Sequence, residues 1–251
     1  MGSPGKGSPL PLYFQLKQII REQIEEGTLK PLDRLPSERE LSLRYGISRM
    51  TVRQSLTELV NEGLLYRRQG KGTFVASPKI DQGLLGLTGF TEEITARGLR
   101  PESRLLSLQR VEASPRVSEA LGLSLDKRVI RLERLRLANG NPMALEVTHL
   151  PLRLFPGFME GDFSGSVSLY ELMEARYGIR LHRARQVLEA GVAGQREADL
   201  LEVPAGAPIL MIERVTYSDK GTPVELARAI YRGDRYKFTV ELVRGINRKE
   251  D

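Results

Sequence analysis

The chain has 251 residues, 40% of them hydrophobic and 28% charged, a composition typical of a folded protein long enough for two domains. It contains no cysteine and only two histidines, His149 and His182, so disulfides, thiolate metal sites and a cysteine nucleophile are excluded. No window approaches the ~20 apolar residues of a membrane span. We therefore expect a cytoplasmic protein that does not act at a membrane and has no metal or cofactor.

The positive charge is concentrated near the N-terminus. The formal net charge is +6. Residues 1–79 hold 13 Lys and Arg against 8 Asp and Glu, or +5, and the remaining 172 residues hold 25 against 24, or +1. A basic N-terminal third beside a nearly neutral remainder fits a nucleic-acid-binding domain, although a basic solvated surface would give the same count.

Three helices are predicted after a tail, residues 1–9, whose Gly, Pro and Ser content indicates disorder. Apolar residues at helical spacing begin the first helix at Leu12. Ser37 and Glu40 form a capping box that begins the second helix, and the glycine of YGIS ends it. Ser48 then caps the third helix. Two helices joined by such a short turn predict a helix-turn-helix motif.

The segment LLYRRQGKGTFVA that follows predicts a β-hairpin with glycines at its tip. Three helices and a basic hairpin together predict a winged helix-turn-helix domain over residues 10–76. Residues 77–86, SPKIDQGLLG, are predicted to be a linker because they combine Pro, Gly and charge.

Arg49 and Arg53 lie one helical turn apart at the start of the third helix. Val52 and Leu56 face inward, so the two arginines share an exposed face. Such helices enter the major groove with their N-terminal residues, and an arginine can bind guanine O6 and N7 with both arms. A solvated surface is the alternative for this face, but the turn, the capping box and the basic hairpin favour DNA. The predicted DNA contacts are Arg39, Ser48, Arg49, Thr51, Arg53, Gln69, Gly70, Lys71 and Gly72.

Residues 87–251 alternate short helices with strands and long hairpins, of which RLANGNP carries the clearest turn. This pattern predicts a mixed domain with a mainly antiparallel sheet and helices on one side, so the fold class is α+β. No internal repeat of fixed period is predicted.

Two features of this domain indicate a binding site. In VIRLERLRL, Arg134 and Arg136 share one strand face and lie roughly 7 Å apart, close enough to hold one phosphate or carboxylate. The alternative is a pair of rim arginines that form salt bridges with Glu133 or Glu146. In ELARAIY, two alanines lie between Glu225 and Tyr231 on one face, which leaves either space for a polar ligand or room for a closely packed helix.

The segment LPSERELSLRYGISRMTVRQSLTELVNEGLLYRRQGKGTFV closely resembles the DNA-binding domain of GntR-family transcription regulators, over about residues 10–76. The stretches FTEEITARG, RLRLANGNPMALE, SLYELMEARYG and YRGDRYKF resemble the UTRA effector domain of the HutC-type branch, which has a chorismate-lyase-like fold. The resemblance implies a homodimer that binds a pseudo-palindromic double-stranded DNA operator and responds to a small molecule. At Met50 related branches carry a polar residue, so no base contact is predicted there.

The resemblance also extends the candidate pocket and favours the ligand interpretation of the arginine pair. It implies an effector site formed by Phe90, Thr91, Arg134, Arg136, Glu146, Ser168, Tyr170, Glu225 and Tyr231. Arginines, hydroxyls and carboxylates in one site predict a small anionic effector, with a phosphorylated amino sugar as the best match. A carboxylate such as urocanate or a fatty acid would satisfy the same arginines and is the alternative.

Two other classes of protein are alternatives for this sequence. One is an enzyme of lyase-like fold, which the absence of cysteine and of a nucleophile–base motif argues against. GKGT at 70–73 also lacks the spacing of a Walker loop. The other is an architectural DNA binder without an effector, which a ligand-insensitive DNA complex would reveal.

Overall fold

The computed structural model describes residues 9–68, 70–76, 79–84, 86–158 and 167–242. The chain divides into two compact units, Met1–Lys79 and Ile80–Asp251. In the described part of the chain, no helix combines the length and the apolar character that crossing a membrane requires.

The N-terminal unit is a winged helix-turn-helix, as predicted. Its elements are α1 (Leu12–Glu25), α2 (Glu38–Tyr45), α3 (Arg49–Asn61), β1 (Leu65–Arg68) and β2 (Gly72–Val75). The two strands pair in antiparallel register and form the wing. The core contains Leu16, Val52, Leu56 and Leu59, all at most 1% exposed.

The predicted caps determine where the two helices of the motif begin and end. The Ser37 hydroxyl accepts from the Glu40 N–H, and the Glu40 carboxylate accepts from the Ser37 N–H, so the capping box is confirmed. Gly46 ends α2 with φ of 65°, in the left-handed region. The Ser48 hydroxyl then caps α3 by accepting from the Thr51 N–H at 3.1 Å. The short turn therefore has the chemistry at each end that the sequence indicates.

The C-terminal unit contains a six-stranded antiparallel sheet. Its elements in chain order are β3 (Ile80–Gly83), α4 (Phe90–Ala96), β4 (Pro101–Glu112), α5 (Pro115–Ala120), β5 (Arg128–Ala138), β6 (Asn141–Pro151), α6 (Leu169–Tyr177), β7 (Leu181–Val192), α7 (Gln195–Leu201), β8 (Pro208–Ser218), β9 (Pro223–Arg232) and β10 (Tyr236–Thr239). The large sheet has the order β4-β5-β6-β9-β8-β7. The α+β class and the mainly antiparallel sheet are confirmed.

The C-terminal unit repeats one succession of elements, although no repeat is predicted from the sequence. Helix, strand, helix, strand, strand occurs first as α4-β4-α5-β5-β6 and then as α6-β7-α7-β8-β9. The last strands of the two copies, β6 and β9, pair at the centre of the sheet. The copies share too few residues to be recognised, except for short matches such as LER at 132–134 and IER at 212–214.

Helices cover both faces of the sheet, so the prediction of helices on one side is wrong. On β5, Ile130 and Leu132 cluster with Leu169 and Met173 of α6. Val129, which points to the opposite face, clusters with residues of α5. Each copy of the repeat places one helix on each side, and this arrangement is hidden in a sequence whose duplication is not apparent.

Residues 77–86 are not a simple linker. Within them, β3 pairs in parallel with β10, with Ile80 opposite Tyr236 and Gln82 opposite Phe238. Ile80 and Gln82 are buried. Local composition does not reveal this strand because its partner lies far away, near the end of the chain.

Candidate functional site

The exposed face of α3 carries both predicted arginines. Arg49 is exposed in the first turn. Arg53 donates from Nε to both Glu38 oxygens, at 3.2 and 3.1 Å, and from Nη2 at 2.9 Å. These hydrogen bonds hold the pKa of the Glu38 carboxyl below its usual value. Since the Arg53 side chain is still 53% exposed, its guanidinium is oriented by an acid on α2 and faces solvent.

The other predicted DNA contacts on α2 and α3 differ in whether their side chains already form hydrogen bonds within the protein. Arg39 is exposed on α2. The hydroxyls of Ser48 and Thr51 lie 2.9 Å apart and hydrogen-bond to each other, in addition to the cap. Both hydroxyls are therefore already engaged at the start of α3.

The wing tip brings glycines and a lysine to the surface. Gly70, Lys71 and Gly72 are exposed, and Gln69 lies outside the described residues. Gly72 has φ of +118°, and a Cβ there would come within 3.1 Å of Nε of Arg34. The left-handed backbone conformation therefore favours glycine at this position, and a Cβ would also require the Arg34 side chain to shift by a few tenths of an ångström.

A cleft beside the wing contains arginines that were not predicted. Arg34 and Arg67 line it together with Arg53, Glu38 and Gly72. Nη2 of Arg67 also donates to the Thr57 hydroxyl at 3.0 Å. Two features of the sequence could have indicated them: the pair of arginines in LLYRR, which includes Arg67, and Arg34 shortly before α2. Three arginines around one glutamate make this surface suited to the phosphate backbone of DNA.

The C-terminal unit contains a cavity between the sheet and the first residues of α4 and α6. The space between its lining atoms, together with the solvent at its mouth, is about 560 Å³. All nine predicted effector residues line it: Phe90, Thr91, Arg134, Arg136, Glu146, Ser168, Tyr170, Glu225 and Tyr231. That these residues bind an effector stays a prediction.

The two strand arginines are buried rather than exposed at a rim. Arg134 and Arg136 are 3% and 2% exposed. Arg134 forms an ion pair with Glu146 on the neighbouring strand, so this part of the alternative interpretation is present inside the cavity. Burial acts to raise the pKa of Glu146, but Arg134 and Arg136 outweigh burial and lower it. Glu146 is therefore ionised and compensates part of the arginine charge.

Arg136 is held mainly by neutral groups. Its Nη2 donates to the Thr91 hydroxyl at 3.1 Å, and its guanidinium lies 4.5 Å from the centre of the Phe90 ring. Burial, with the charge of Arg134, lowers the pKa of Arg136 to about 10. Arg136 remains charged at neutral pH and has no ion pair with a carboxylate among the described side chains.

Glu225 lies in a second polar network. It accepts from the Thr216 hydroxyl at 2.8 Å and from the Tyr170 hydroxyl at 3.2 Å. Burial and the nearby charge of Glu146 raise its pKa. Arg214 donates to the Tyr170 hydroxyl at 3.4 Å and to the Thr88 carbonyl at 3.0 Å. The two alanines of ELARAIY, Ala227 and Ala229, line the cavity beside this network, and Ala229 also packs in the apolar cluster that includes Ile94 of α4.

Arg214 was not predicted from the sequence, although a signal for it exists. It stands in the second copy of the repeat where Arg134 stands in the first, in IER and LER respectively. The cavity thus contains three arginines and two carboxylates, and one carboxylate has a raised pKa. Its electrostatics favour an anion. Within the described residues, no cluster of His, Asp or Glu could hold a metal ion.

Comparison with known proteins identifies both units. Residues 12–75 match the family model of bacterial regulatory proteins, gntR family, and residues 96–237 match that of the UTRA domain. HTH-type transcriptional repressor NagR of Bacillus subtilis (strain 168) is 46% identical over 93% of this chain and 95% of its own length. The histidine utilization repressor of Pseudomonas putida is 35% identical over 93% of this chain and 92% of its own length. The crystal structure of PhnF from Mycobacterium smegmatis resembles this chain with a TM-score of 0.63 and 32% sequence identity. The match covers 92% of this chain and 98% of PhnF.

Proposed function

Because the chain belongs to the GntR family of bacterial regulatory proteins, in the branch that carries a UTRA domain, we propose that a small anionic metabolite binds in the C-terminal cavity and changes its affinity for operator DNA. The family makes the protein a DNA-binding transcriptional repressor of the HutC type and not an enzyme.

The charge of the cavity carries the proposal. Arg134, Arg136 and Arg214 face one enclosed space, and Glu146 is the carboxylate whose ionisation they favour. A site with surplus positive charge and little access for water binds an anion more strongly than an exposed arginine pair does. Such a cavity suits a phosphate or a carboxylate better than a neutral ligand.

The other polar groups favour a phosphorylated amino sugar. The carboxylate of Glu146 can accept from hydroxyl or ammonium groups, as can the hydroxyls of Tyr170 and Tyr231. A fatty acid has no hydroxyl or ammonium group that could donate a hydrogen bond to these acceptors. A compact carboxylate such as urocanate remains the second candidate, since a relative of this chain is a histidine utilization repressor.

The proposed DNA complex is a homodimer on a pseudo-palindromic operator, with half-sites about one DNA turn apart. Arg49, Arg53 and the wing glycines of each protomer would contact one half-site. An effector that changes the spacing of the two DNA-binding domains would weaken both half-sites together, provided that it binds one arrangement better than the other.

Calorimetric titration of the full chain with four probes tests the effector class: glucosamine 6-phosphate, N-acetylglucosamine 6-phosphate, urocanate and a fatty acid. We expect binding of a sugar phosphate and none of the fatty acid. Binding of urocanate alone would replace the sugar phosphate by a carboxylate. Binding of the fatty acid alone would contradict the polar assignment of the cavity.

A further inference from the structure

Strand β3 contributes one side chain to the cavity that the proposed effector site does not include. Gln82 lines the cavity and is 4% exposed. Its Oε1 is buried and accepts no hydrogen bond from any described residue. Because a buried amide oxygen without a donor is unfavourable, a group that enters the cavity and donates a hydrogen bond would be stabilised at this point.

The position of Gln82 in the chain makes such a contact consequential. The N-terminal unit ends at Lys79, and β3 begins with the next residue, Ile80. Gln82 therefore lies on the segment that leads directly out of the DNA-binding unit. The other cavity residues lie further along the chain, in or just before α4 and α6 and on the large sheet.

Strand β3 is attached to β10 and to α4, and α4 contributes Phe90 and Thr91 to the cavity. Asp81 forms a 2.7 Å ion pair with Lys237 of β10, and the Asp81 carbonyl accepts from Arg97, next to the end of α4. The Ile80 N–H donates to the Arg235 carbonyl at 2.7 Å. A displacement of β3 would therefore disturb its contacts with β10 and with α4. The first residues of α4 line the cavity.

We propose that Gln82 binds the effector directly and couples occupancy of the cavity to β3, and through it to the DNA-binding unit. Its Oε1 accepts a hydrogen bond from a hydroxyl or ammonium group of the ligand, while the arginines hold the anionic group. This inference rests on the proposed function and narrows it, because it requires an effector that carries a hydrogen-bond donor besides its anion.

The test compares wild type with Gln82→Met, which keeps the length of the side chain and removes the acceptor. Asp81→Asn is the matched control, since it weakens the ion pair of β3 without touching the cavity. Each full-length protein is titrated with glucosamine 6-phosphate and with inorganic phosphate, and its DNA affinity is measured with and without the sugar phosphate. Gln82→Asn, which withdraws the amide, serves if the Met variant does not fold.

We expect Gln82→Met to bind glucosamine 6-phosphate about tenfold more weakly, to keep its affinity for inorganic phosphate, and to show a smaller ligand effect on DNA binding. Asp81→Asn should keep its ligand affinity. An unchanged affinity of Gln82→Met for the sugar phosphate would overturn the contact. An equal loss for both probes would show a merely structural role and also overturn it. Wild type that binds neither probe would refute the proposed effector class, and with it the ligand assigned to Gln82.

Discussion

Arg134 and Arg136 lie two residues apart on one strand face but have different surroundings. Arg134 is paired with Glu146, whereas Arg136 contacts a hydroxyl and an aromatic ring. Removing Arg134 would leave Glu146 buried without its ion-pair partner, which typically costs 3–5 kcal/mol. An alanine at this position therefore tests stability and ligand binding at once, so a milder change is needed.

Arg134→Lys keeps the positive charge beside Glu146 but loses the planar fork that binds an anion with two hydrogen bonds. We expect about tenfold weaker effector binding, unchanged operator affinity and little loss of thermal stability. Arg131→Lys is the control, since it lies on the same strand and points to the opposite face. Calorimetry and thermal unfolding measure both effects. Equal effector affinities of the two variants would place the anion elsewhere.

Arg49→Ala should weaken specific operator binding by about 1–3 kcal/mol, because an exposed guanidinium that can bind a guanine would be lost. Arg110→Ala, at an exposed position of the C-terminal unit, removes the same charge and controls for the net positive field. Fluorescence anisotropy with operator and with unrelated DNA separates the two contributions. If Arg49→Ala binds operator as wild type does, the recognition-helix assignment is wrong.

Glu93 of α4 gives the protein a pH dependence. It is 5% exposed, and burial raises its pKa to about 7, against the effect of Arg97. The ordinary pKa of a glutamate is 4.5, so between pH 4.5 and about 7 the folded chain keeps a proton on Glu93 that the unfolded chain has lost. This contribution to stability is fully present below pH 4.5 and is lost as the pH rises through about 7.

Glu93→Gln should therefore match wild type at pH 5 and be more stable by about 1–3 kcal/mol at pH 8. Urea unfolding of the C-terminal unit at both pH values measures the difference. Glu112→Gln, at an exposed position of β4, should retain the wild-type pH dependence. If the free energy of unfolding changes with pH in Glu93→Gln as it does in wild type, another group is responsible for the pH dependence.

At the scale of elements, the sequence predicts the caps and turns that depend on neighbouring residues. It misses the features that depend on pairing between distant segments. The capping box at Ser37, the turn at Gly46 and the hairpin at Asn139 depend on neighbours in the chain, so they are readable. Strand β3 depends on β10, and the role of Arg214 depends on a repeat that few residues preserve. Glu38 is likewise missed because its ion pair with Arg53 joins two helices across the turn.

The start of α2 can be tested alone. Ser37→Ala removes the side-chain acceptor of the capping box and should destabilise the N-terminal unit by about 1 kcal/mol. Ser37→Asp keeps an acceptor and should stay close to wild type. Hydrogen exchange of the α2 amides in the full chain measures the change. Equal protection in the Ala and Asp variants would mean that the cap does not stabilise this helix.

At the scale of the whole molecule, charge and topology divide the tasks between the units. The N-terminal unit carries nearly all the net charge and the exposed arginines of α3. The C-terminal unit is nearly neutral overall and places three of its arginines, Arg134, Arg136 and Arg214, at a cavity. The first arrangement suits a polyanion at the surface, and the second suits a single small anion that is withdrawn from water. Ligand control of DNA binding requires that these two sites be energetically coupled.

A DNA-binding titration of the full chain, with the DNA upstream of its own gene, tests this coupling most directly. It is run alone and with saturating glucosamine 6-phosphate, N-acetylglucosamine 6-phosphate, urocanate or a fatty acid. We predict tight binding without ligand and release by one amino-sugar phosphate, with Arg134→Lys requiring more of it. Tight binding that none of the four compounds changes would contradict the proposed effector and leave only the DNA-binding function.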